Sequence, residues 1–384
     1  MARSRRQVEQ VEAAPTRSMP PAPLLGQSAA RADLAALLVA RRVPPAMVFH
    51  GPTGVGKMTT ARRLAALLLD PMATEEHLRE LTPPATSETA ELLAAGSHPD
   101  LHLISRTRCA DSQIPELRDK KQTNIPIDLL RELMIGGTVG GARLDAPVLR
   151  TPYRGHGKVF LIDEAELLDS AGQNALLKTL EEPPKDTWII LVCADRTKLL
   201  PTIRSRCHHV AFFPLDADSM QRWLDRLDPV PQGEMRAWLL GFAEGSPGAA
   251  ALALEAGLIE WDRAMRPPFE ALLAGRGGFD LAERMTELVK EFAEARVKGD
   301  ARASKESANR QATRLALGML GRWLRARLAA AAERGDAEEA DRMIDWIDRL
   351  DLAERHLEAN VFLQHAFADL VAAWEERGST AVPS

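Results

Sequence analysis

The chain has 384 residues, a formal net charge of −5 and 27% charged residues, which suits two or three folded domains. The negative balance argues against a protein that coats nucleic acid by itself, although it leaves contact through a local patch or an assembly open. Cys109, Cys193 and Cys207 include no C-x-x-C pair, so neither a thiolate zinc module nor a disulfide framework is expected. The sequence shows neither a secretory signal nor an apolar run near the ~20 residues of a membrane span, which predicts a cytoplasmic protein.

The N-terminal part leads into a strand, a loop and a helix. Residues 1–22 are polar and rich in alanine and proline, which predicts a disordered tail. Helical periodicity over residues 29–42 ends at Pro44-Pro45, and the apolar run at residues 46–49 predicts the first strand. A helical pattern begins again at residue 59 and is expected to stop at Asp70-Pro71.

The loop between this strand and helix is a nucleotide-binding motif. Residues 51–57 read G-P-T-G-V-G-K, a complete G-x-x-x-x-G-K, which is the signature of a P-loop. Its glycines let backbone N–H groups turn toward a phosphate, the following helix start adds partial positive charge, and the lysine reaches the outer phosphates. The expected ligand is ATP or ADP with Mg²⁺, at a site formed by Gly51, Pro52, Thr53, Gly54, Val55, Gly56, Lys57, Met58 and Thr59.

Met58 departs from this motif, because its position normally carries a Ser or Thr whose hydroxyl holds Mg²⁺. A thioether is a poor ligand for a hard cation that prefers oxygen. Thr59 lies about 100° further round the helix, so its ability to replace the hydroxyl stays open. The hydrolytic competence of the site stays open with it.

A second chemical landmark is Asp163-Glu164, at the end of the apolar run 158–162. A strand-terminal Asp orders the Mg²⁺ shell in P-loop proteins, which assigns this role to Asp163. Glu164 is then expected to polarise the attacking water. The alternative is a solvated turn after a core strand, and the P-loop upstream argues against it.

Strands and helices alternate up to about residue 214. A capping box of Ser170 and Gln173 is expected to open a helix that stops at Pro183-Pro184. The expected fold is a five-stranded, mostly parallel sheet with helices on both faces. Further strands are expected at residues 101–104, 188–194 and 208–213, a helix at 127–135, an irregular insertion at 105–126 and a glycine- and proline-rich loop at 136–157.

The remainder of the chain is helical in pattern and lacks chemical clusters. Its apolar helix faces fit an internal core and an oligomerisation surface equally well. Short helices are expected at residues 217–227, 233–243 and 249–256, and long ones at 281–296, 309–334, 337–350 and 352–376, the last as one helix or a pair.

The order of these motifs resembles the AAA+ clamp-loader subunits over residues 24–254. The resemblance rests on Leu25-Gly26-Gln27, the P-loop, residues 162–165, 173–184 and 200–207, and on a stretch at 245–252 similar to the family's lid helix. It implies a P-loop AAA+ domain over residues 23–214, a helical lid domain over 215–257 and an all-α collar over 258–384.

Within this family the resemblance favours the δ′ type of bacterial DNA polymerase III subunit over the γ/τ motor type. Met58 replaces the Mg²⁺ hydroxyl, and Gly248 stands where motor subunits carry a lid arginine. The zinc-binding cysteines usual in both types are absent, so no zinc site is expected. The chain length also suits the δ′ type.

The Ser205-Arg206-Cys207 element implies a role in trans. In this family its arginine projects into the ATP site of the neighbouring subunit, so Arg206 is expected to be an arginine finger. Such a guanidinium stabilises charge on a transferring phosphoryl group and is worth ~10³–10⁵ in rate in GTPases. Arg204 is the neighbouring candidate.

The implied function is assistance to the ATP-driven loading of a sliding clamp onto primed DNA, with weak or absent ATPase activity of the chain itself. The implied partners are γ/τ and δ subunits, the clamp and primer-template DNA. A γ/τ-type motor is the first alternative, because Gly51–Lys57, Asp163 and Glu164 are intact. An AAA+ helicase loader or recombination factor is the second, and the Asn174–Pro184 stretch argues against it.

Overall fold

The computed structural model divides the chain into two compact units. One lies within Met1–Pro231 and Ala243–Ala249, and the other within Gln232–Phe242 and Ala250–Ser384. The predicted tail at residues 1–22 lies outside the described residues. The structure describes residues 24–118, 124–277, 279–299, 305–358 and 363–378.

A five-stranded parallel sheet forms the centre of the first unit. The strands of this unit, in chain order, are β1 (Ala46–His50), β2 (Leu101–Ile104), β3 (Gly137–Val139), β4 (Ala142–Leu144), β5 (Lys158–Ile162), β6 (Thr187–Cys193) and β7 (His208–Ala211). β3 and β4 form a separate pair outside the five-stranded sheet. The sheet order is β2-β5-β6-β1-β7, and every pair in it is parallel. This arrangement confirms the predicted fold class and puts the strand before the P-loop between β6 and β7.

Helices connect these strands and continue beyond them. The α-helices are α1 (Ser28–Val39), α2 (Lys57–Leu69), α3 (Glu75–Glu80), α4 (Glu88–Ala94), α5 (Pro115–Arg118), α6 (Ile127–Leu130), α7 (Ser170–Glu181), α8 (Pro201–Arg204), α9 (Ala217–Leu224), α10 (Gly233–Ala243), α11 (Pro247–Glu255), α12 (Leu258–Leu273), α13 (Phe279–Gly299), α14 (Lys305–Arg334), α15 (Ala337–Glu358) and α16 (Leu363–Gly378). A π-helical turn, Arg131–Ile135, extends α6 to the end predicted for that helix. Short 3₁₀ helices lie at Arg106–Asp111, Pro147–Leu149, Ala165–Leu167 and Arg196–Lys198.

Successive strand residues enter opposite faces of the sheet and build two apolar clusters, because side chains alternate along a strand. Met47 and Phe49 of β1 join the cluster that contains α1 and α2. Val48 joins the other cluster, which contains Leu129 of α6 and Leu176 of α7. Helices on both faces leave the sheet edge at the carboxyl ends of the strands for ligands.

The predicted loop at residues 136–157 is wrong in part, because it contains an antiparallel hairpin of β3 and β4. The two strands are joined by Gly140 and Gly141, whose φ values are 55° and 85°. Two consecutive residues with positive φ form the tight hairpin turn that matches strand twist. The Gly-Gly pair is therefore the sequence signal that identifies this hairpin.

The predicted capping box of α7 is also wrong. Asp169 is the N-cap, and its carboxylate accepts a hydrogen bond from the Gly172 amide, so Ser170 is already the first helical residue. The buried Gln173 amide instead donates to Leu168 O and Lys198 O, at 3.1 and 3.3 Å. Aspartate is as good a cap as serine, so the local pattern alone placed the helix start one residue late.

The second unit is a helical bundle with an aromatic core. Trp346 of α15 stacks on Trp374 of α16 with ring centroids 4.8 Å apart, and Phe269 of α12 lies against both rings. The break predicted between residues 350 and 352 is absent, since α15 continues to Glu358. None of the helices in the described ranges is both long and apolar enough to cross a membrane.

Candidate functional site

The glycine loop lies between β1 and α2, where its glycines adopt conformations that other residues avoid. Gly51, Gly54 and Gly56 have φ values of 141°, 79° and 104°. A Cβ at Gly51 would lie 2.1 Å from the carbonyl oxygen of Phe212, so a larger residue does not fit. Gly56 also forms the N-cap of α2, which directs the first amides of this helix toward the loop.

Lys57 is folded onto its own loop. Its Nζ donates hydrogen bonds to Gly51 O and Pro52 O, both at 2.6 Å. Burial lowers the pKa of Lys57, and the opposing influence of Cys193, Glu166 and Asp163 does not cancel it. Lys57 is thus near enough to groups at the carboxyl ends of β5 and β6 for them to influence its pKa.

The two acidic residues after β5 have different surroundings. Burial raises the pKa of Asp163, while the Glu164 amide, which donates to Asp163 Oδ1 at 3.0 Å, favours the ionised form, as do Arg62 and Lys57. Glu164 has a φ of 52° and pairs with Arg106, 3.6 Å away. The structure thus brings Asp163 close to Lys57 and engages Glu164 with an arginine that follows β2.

The donor set fits phosphate better than it fits Mg²⁺. The Met58 side chain packs against the apolar cluster of α1 and α2. The Thr60 hydroxyl donates to Gly56 O at 3.0 Å, and Thr59 is exposed. Asp163 therefore remains the carboxylate suited to a Mg²⁺ shell, and the oxygen ligand expected at the position after Lys57 is missing.

The loop that precedes α11 is hydrogen-bonded to the P-loop. Ser246 Oγ donates to Thr53 O at 3.0 Å and accepts from the Ala249 amide, so it also caps the helix. The Gly248 amide donates to Gly54 O at 2.9 Å. A Cβ at Gly248 would lie 2.6 Å from Gly54 Cα, so glycine at this position permits the close approach. We call the contact of Ser246 and Gly248 with Thr53 and Gly54 the lid contact.

Gln27 holds a third element to the P-loop. Its Nε2 donates to Val55 O at 3.1 Å and to Phe213 O at 2.6 Å, and its Oε1 accepts from the Phe213 amide at 3.1 Å. The start of α1, the P-loop and the segment after β7 are therefore joined by one amide side chain. In the sequence Gln27 carries the family resemblance without an assigned role.

Arg206 lies outside this nucleotide site. Its Nη2 pairs with Glu181 Oε1 at 2.7 Å, and its Nη1 donates to Thr202 O at 3.0 Å. Within the described part of the chain its partners are Glu181, Thr202 and Ser205, which all lie outside the P-loop. The side chain is 37% exposed, so a neighbouring molecule can reach the guanidinium.

Arg204 is held differently. Its carbonyl oxygen accepts a hydrogen bond from His209 Nε2 at 2.8 Å. Its Nε is buried and has no hydrogen-bond partner within the part of the chain that the structure describes. Of the two arginines, Arg206 has its guanidinium fixed by a carboxylate and by a backbone carbonyl.

Sequence reasoning missed several residues that complete these sites. Glu166 accepts from the Ala194 amide at 2.8 Å and joins the ends of β5 and β6. In the sequence, the signal for Glu166 was its position three residues after Asp163, beyond the end of the strand. Ser246 and Glu181 lie inside stretches that carry the resemblance, but only the fold shows what they contact.

Comparisons with known proteins agree with this architecture. A family model described as DNA polymerase III, delta subunit, matches residues 26–216. A DNA polymerase III subunit delta' from Pseudomonas aeruginosa is 35% identical over 204 residues, which cover 53% of each chain. The subunit delta' from Escherichia coli (strain K12) is 35% identical over 164 residues, covering 42% of this chain and 41% of that protein.

A relative of the γ/τ type matches as well. A DNA polymerase III subunit gamma/tau from Mycobacterium tuberculosis is 33% identical over 215 residues, covering 54% of this chain and 31% of that protein. The matches thus span about half or less of the length of these relatives. Over residues 26–216 these matches support a δ′-like clamp-loader subunit of DNA polymerase III.

Proposed function

We propose that this chain is a δ′-type subunit that assists ATP-driven loading of a sliding clamp onto primed DNA. In this role it lends Arg206 to the ATP site of an adjacent γ/τ-type subunit. The observation that carries the proposal is the placement of Arg206, which is partly exposed, held by Glu181 and bonded to no residue of its own P-loop. A guanidinium placed in this way can stabilise charge on a phosphoryl group of another molecule.

The state of the chain's own nucleotide site supports the proposal. Met58 packs against the apolar cluster, and its thioether offers no oxygen to Mg²⁺. Gly248 contacts Gly54 through its backbone, so no side chain at this position reaches toward a γ-phosphate. The glycine amides and Lys57 still form a phosphate cradle, so we infer that ATP or ADP binds there without efficient hydrolysis.

A γ/τ-type motor is the second candidate function. The observation in its favour is the proximity of Lys57, Asp163 and Glu166 at the carboxyl ends of the strands. In that case Thr59 or water would have to complete the Mg²⁺ shell. The division into an AAA+ domain at 23–214, a lid at 215–257 and a collar at 258–384 stays a prediction, as do contacts with γ/τ, δ, the clamp and DNA.

ATP turnover of separate and reconstituted components distinguishes these functions. We expect the chain alone to show background turnover, because its site lacks the Mg²⁺ hydroxyl and a lid arginine. Adding it to γ/τ and δ subunits from the same organism, with clamp and primed DNA, should raise turnover about tenfold or more, the low end of an arginine finger's effect. The control is the same mixture without this chain.

The opposite result would favour the motor function. If the chain alone hydrolyses ATP as fast as the complete assembly does, it does not act by lending a residue. If it neither hydrolyses ATP nor stimulates the other subunits, both candidate functions fail.

A further inference from the structure

The ion pair between Arg206 and Glu181 joins two elements that are separate in the chain. Glu181 is the last residue of α7, and Arg206 follows α8. Their charged atoms are 2.7 Å apart, and the side chains of Arg206 and Glu181 are 37% and 48% exposed, respectively. Arg206 Nη1 also donates to Thr202 O, one turn earlier in the chain. The guanidinium is therefore held from two directions.

Buried residues on both elements fix where these two side chains emerge. Leu176 and Leu180 of α7 share an apolar cluster with Ile203 of α8 and with Cys207. Ile203 and Cys207 flank Arg206, so the backbone is anchored on both sides of it. Pro183 and Pro184 stop α7 just after Glu181, since proline cannot continue a helix. The cluster thus sets the separation of the carboxylate from the guanidinium.

An exposed ion pair of this kind contributes little to folding stability, because water screens the charges and two long side chains lose freedom. The ion pair matters more for the orientation of the Arg206 side chain than for folding stability. A free arginine samples many rotamers, whereas a planar guanidinium held by an acceptor on each Nη has few orientations left. Fixing a charged group before its partner arrives reduces the cost of ordering it in the complex.

We propose that Glu181 is a positioning residue for Arg206. Its carboxylate orients the guanidinium outward before the neighbouring subunit binds, and it does not itself contact the nucleotide. The inference rests on the proposed trans-acting function of Arg206. It assigns a role to a residue that the Asn174–Pro184 motif contains but whose partner only the fold brings close.

The test replaces the carboxylate in the reconstituted clamp loader. Glu181→Gln should lower the kcat for ATP turnover about threefold to tenfold, a smaller loss than removal of the finger, because the guanidinium remains but is misdirected. The KM for ATP should stay unchanged, and the thermal midpoint of the isolated chain should match that of the wild type. Glu181→Asp keeps the charge with a shorter reach and should restore part of the loss.

Glu182→Gln is the matched control, because Glu182 is the adjacent exposed carboxylate and takes no part in the pair with Arg206. We expect wild-type turnover from it. If both substitutions slow the assembly equally, general negative charge is responsible and the positioning role is wrong. A Glu181→Gln assembly as fast as the wild type, or faster, also overturns it.

A double substitution separates this inference from the proposed function. Glu181→Gln should cause no further loss of turnover when Arg206 is already alanine, since there is no guanidinium to orient. If Arg206→Ala alone has no effect, the trans-acting function fails and the positioning role fails with it. If Arg206→Ala slows turnover and Glu181→Gln adds an equal loss in that background, only the positioning role is wrong.

Discussion

Arg206→Ala should slow ATP turnover of the reconstituted assembly at least about tenfold. If the finger is fully engaged, the loss should reach about 10³-fold or more. The expected cause is loss of the guanidinium that stabilises charge on the transferring phosphoryl group of the neighbouring subunit. The measurement is steady-state ATP turnover with γ/τ and δ subunits, clamp and primed DNA. Loss of a contact made only in the transition state lowers kcat and leaves KM nearly unchanged.

Three further variants make this result specific. Arg206→Lys keeps the positive charge but loses the planar fork, so we expect most of the loss to remain. Arg204→Ala tests the neighbouring arginine and should have the smaller effect. Arg79→Ala removes an arginine from α3 that is 68% exposed and pairs with Glu75, and it should match the wild type.

The prediction is contradicted if Arg206→Ala turns over ATP at the wild-type rate in an assembly of normal composition. Size-exclusion chromatography of the assembly shows whether the variant is incorporated. A larger loss for Arg204→Ala than for Arg206→Ala would transfer the finger role to Arg204. The structure favours Arg206, because only Arg206 is held by both Glu181 and Thr202 O.

Gly248→Arg should destabilise the chain and fail to give it an ATPase activity. The resemblance implies an arginine at this position in motor subunits, so the substitution looks like a repair. The added Cβ would lie 2.6 Å from Gly54 Cα, which is backbone and cannot swing aside. Overpacking of this kind costs about 1–3 kcal/mol, and loss of the hydrogen bond from Gly248 to Gly54 O adds about 1 kcal/mol.

Thermal or denaturant unfolding measures this loss, and ATP turnover of the chain alone measures activity. Gly241→Arg is the matched control, because Gly241 is helical, exposed and has no atom within 4 Å of a Cβ built on it. We expect the control to unfold like the wild type. If Gly248→Arg has wild-type stability, or gains ATP turnover, the lid contact does not restrict the P-loop.

The lid contact and Arg206 lie at two different sites of the proposed subunit. Ser246 and Gly248 hold the chain's own P-loop, in which Met58 supplies no Mg²⁺ ligand. Arg206, by contrast, is exposed and directed by residues of α7 and α8. A subunit built in this way is suited to completing another molecule's active site.

Local chemistry is what the sequence by itself determined. The G-x-x-x-x-G-K loop at 51–57, the strand ending at Asp163 and the near-continuous apolar run of β6 are each contained in about ten consecutive residues. Their patterns follow from backbone conformation and from burial on both faces of a parallel sheet. For this reason the five-stranded fold, the P-loop position and the resemblance to clamp-loader subunits could be predicted.

Contacts between distant residues were decided only by the tertiary structure. Ser246 and Thr53 are 193 positions apart, and Gln27 and Phe213 are 186 apart. The pair of Glu181 and Arg206 also depends on how α7 packs against α8. No periodicity or spacing in one sequence encodes such partners, because their proximity arises from the packing of whole elements. Gly248 shows the difference: the sequence presents a missing arginine, and the fold explains it as a close approach of two backbones.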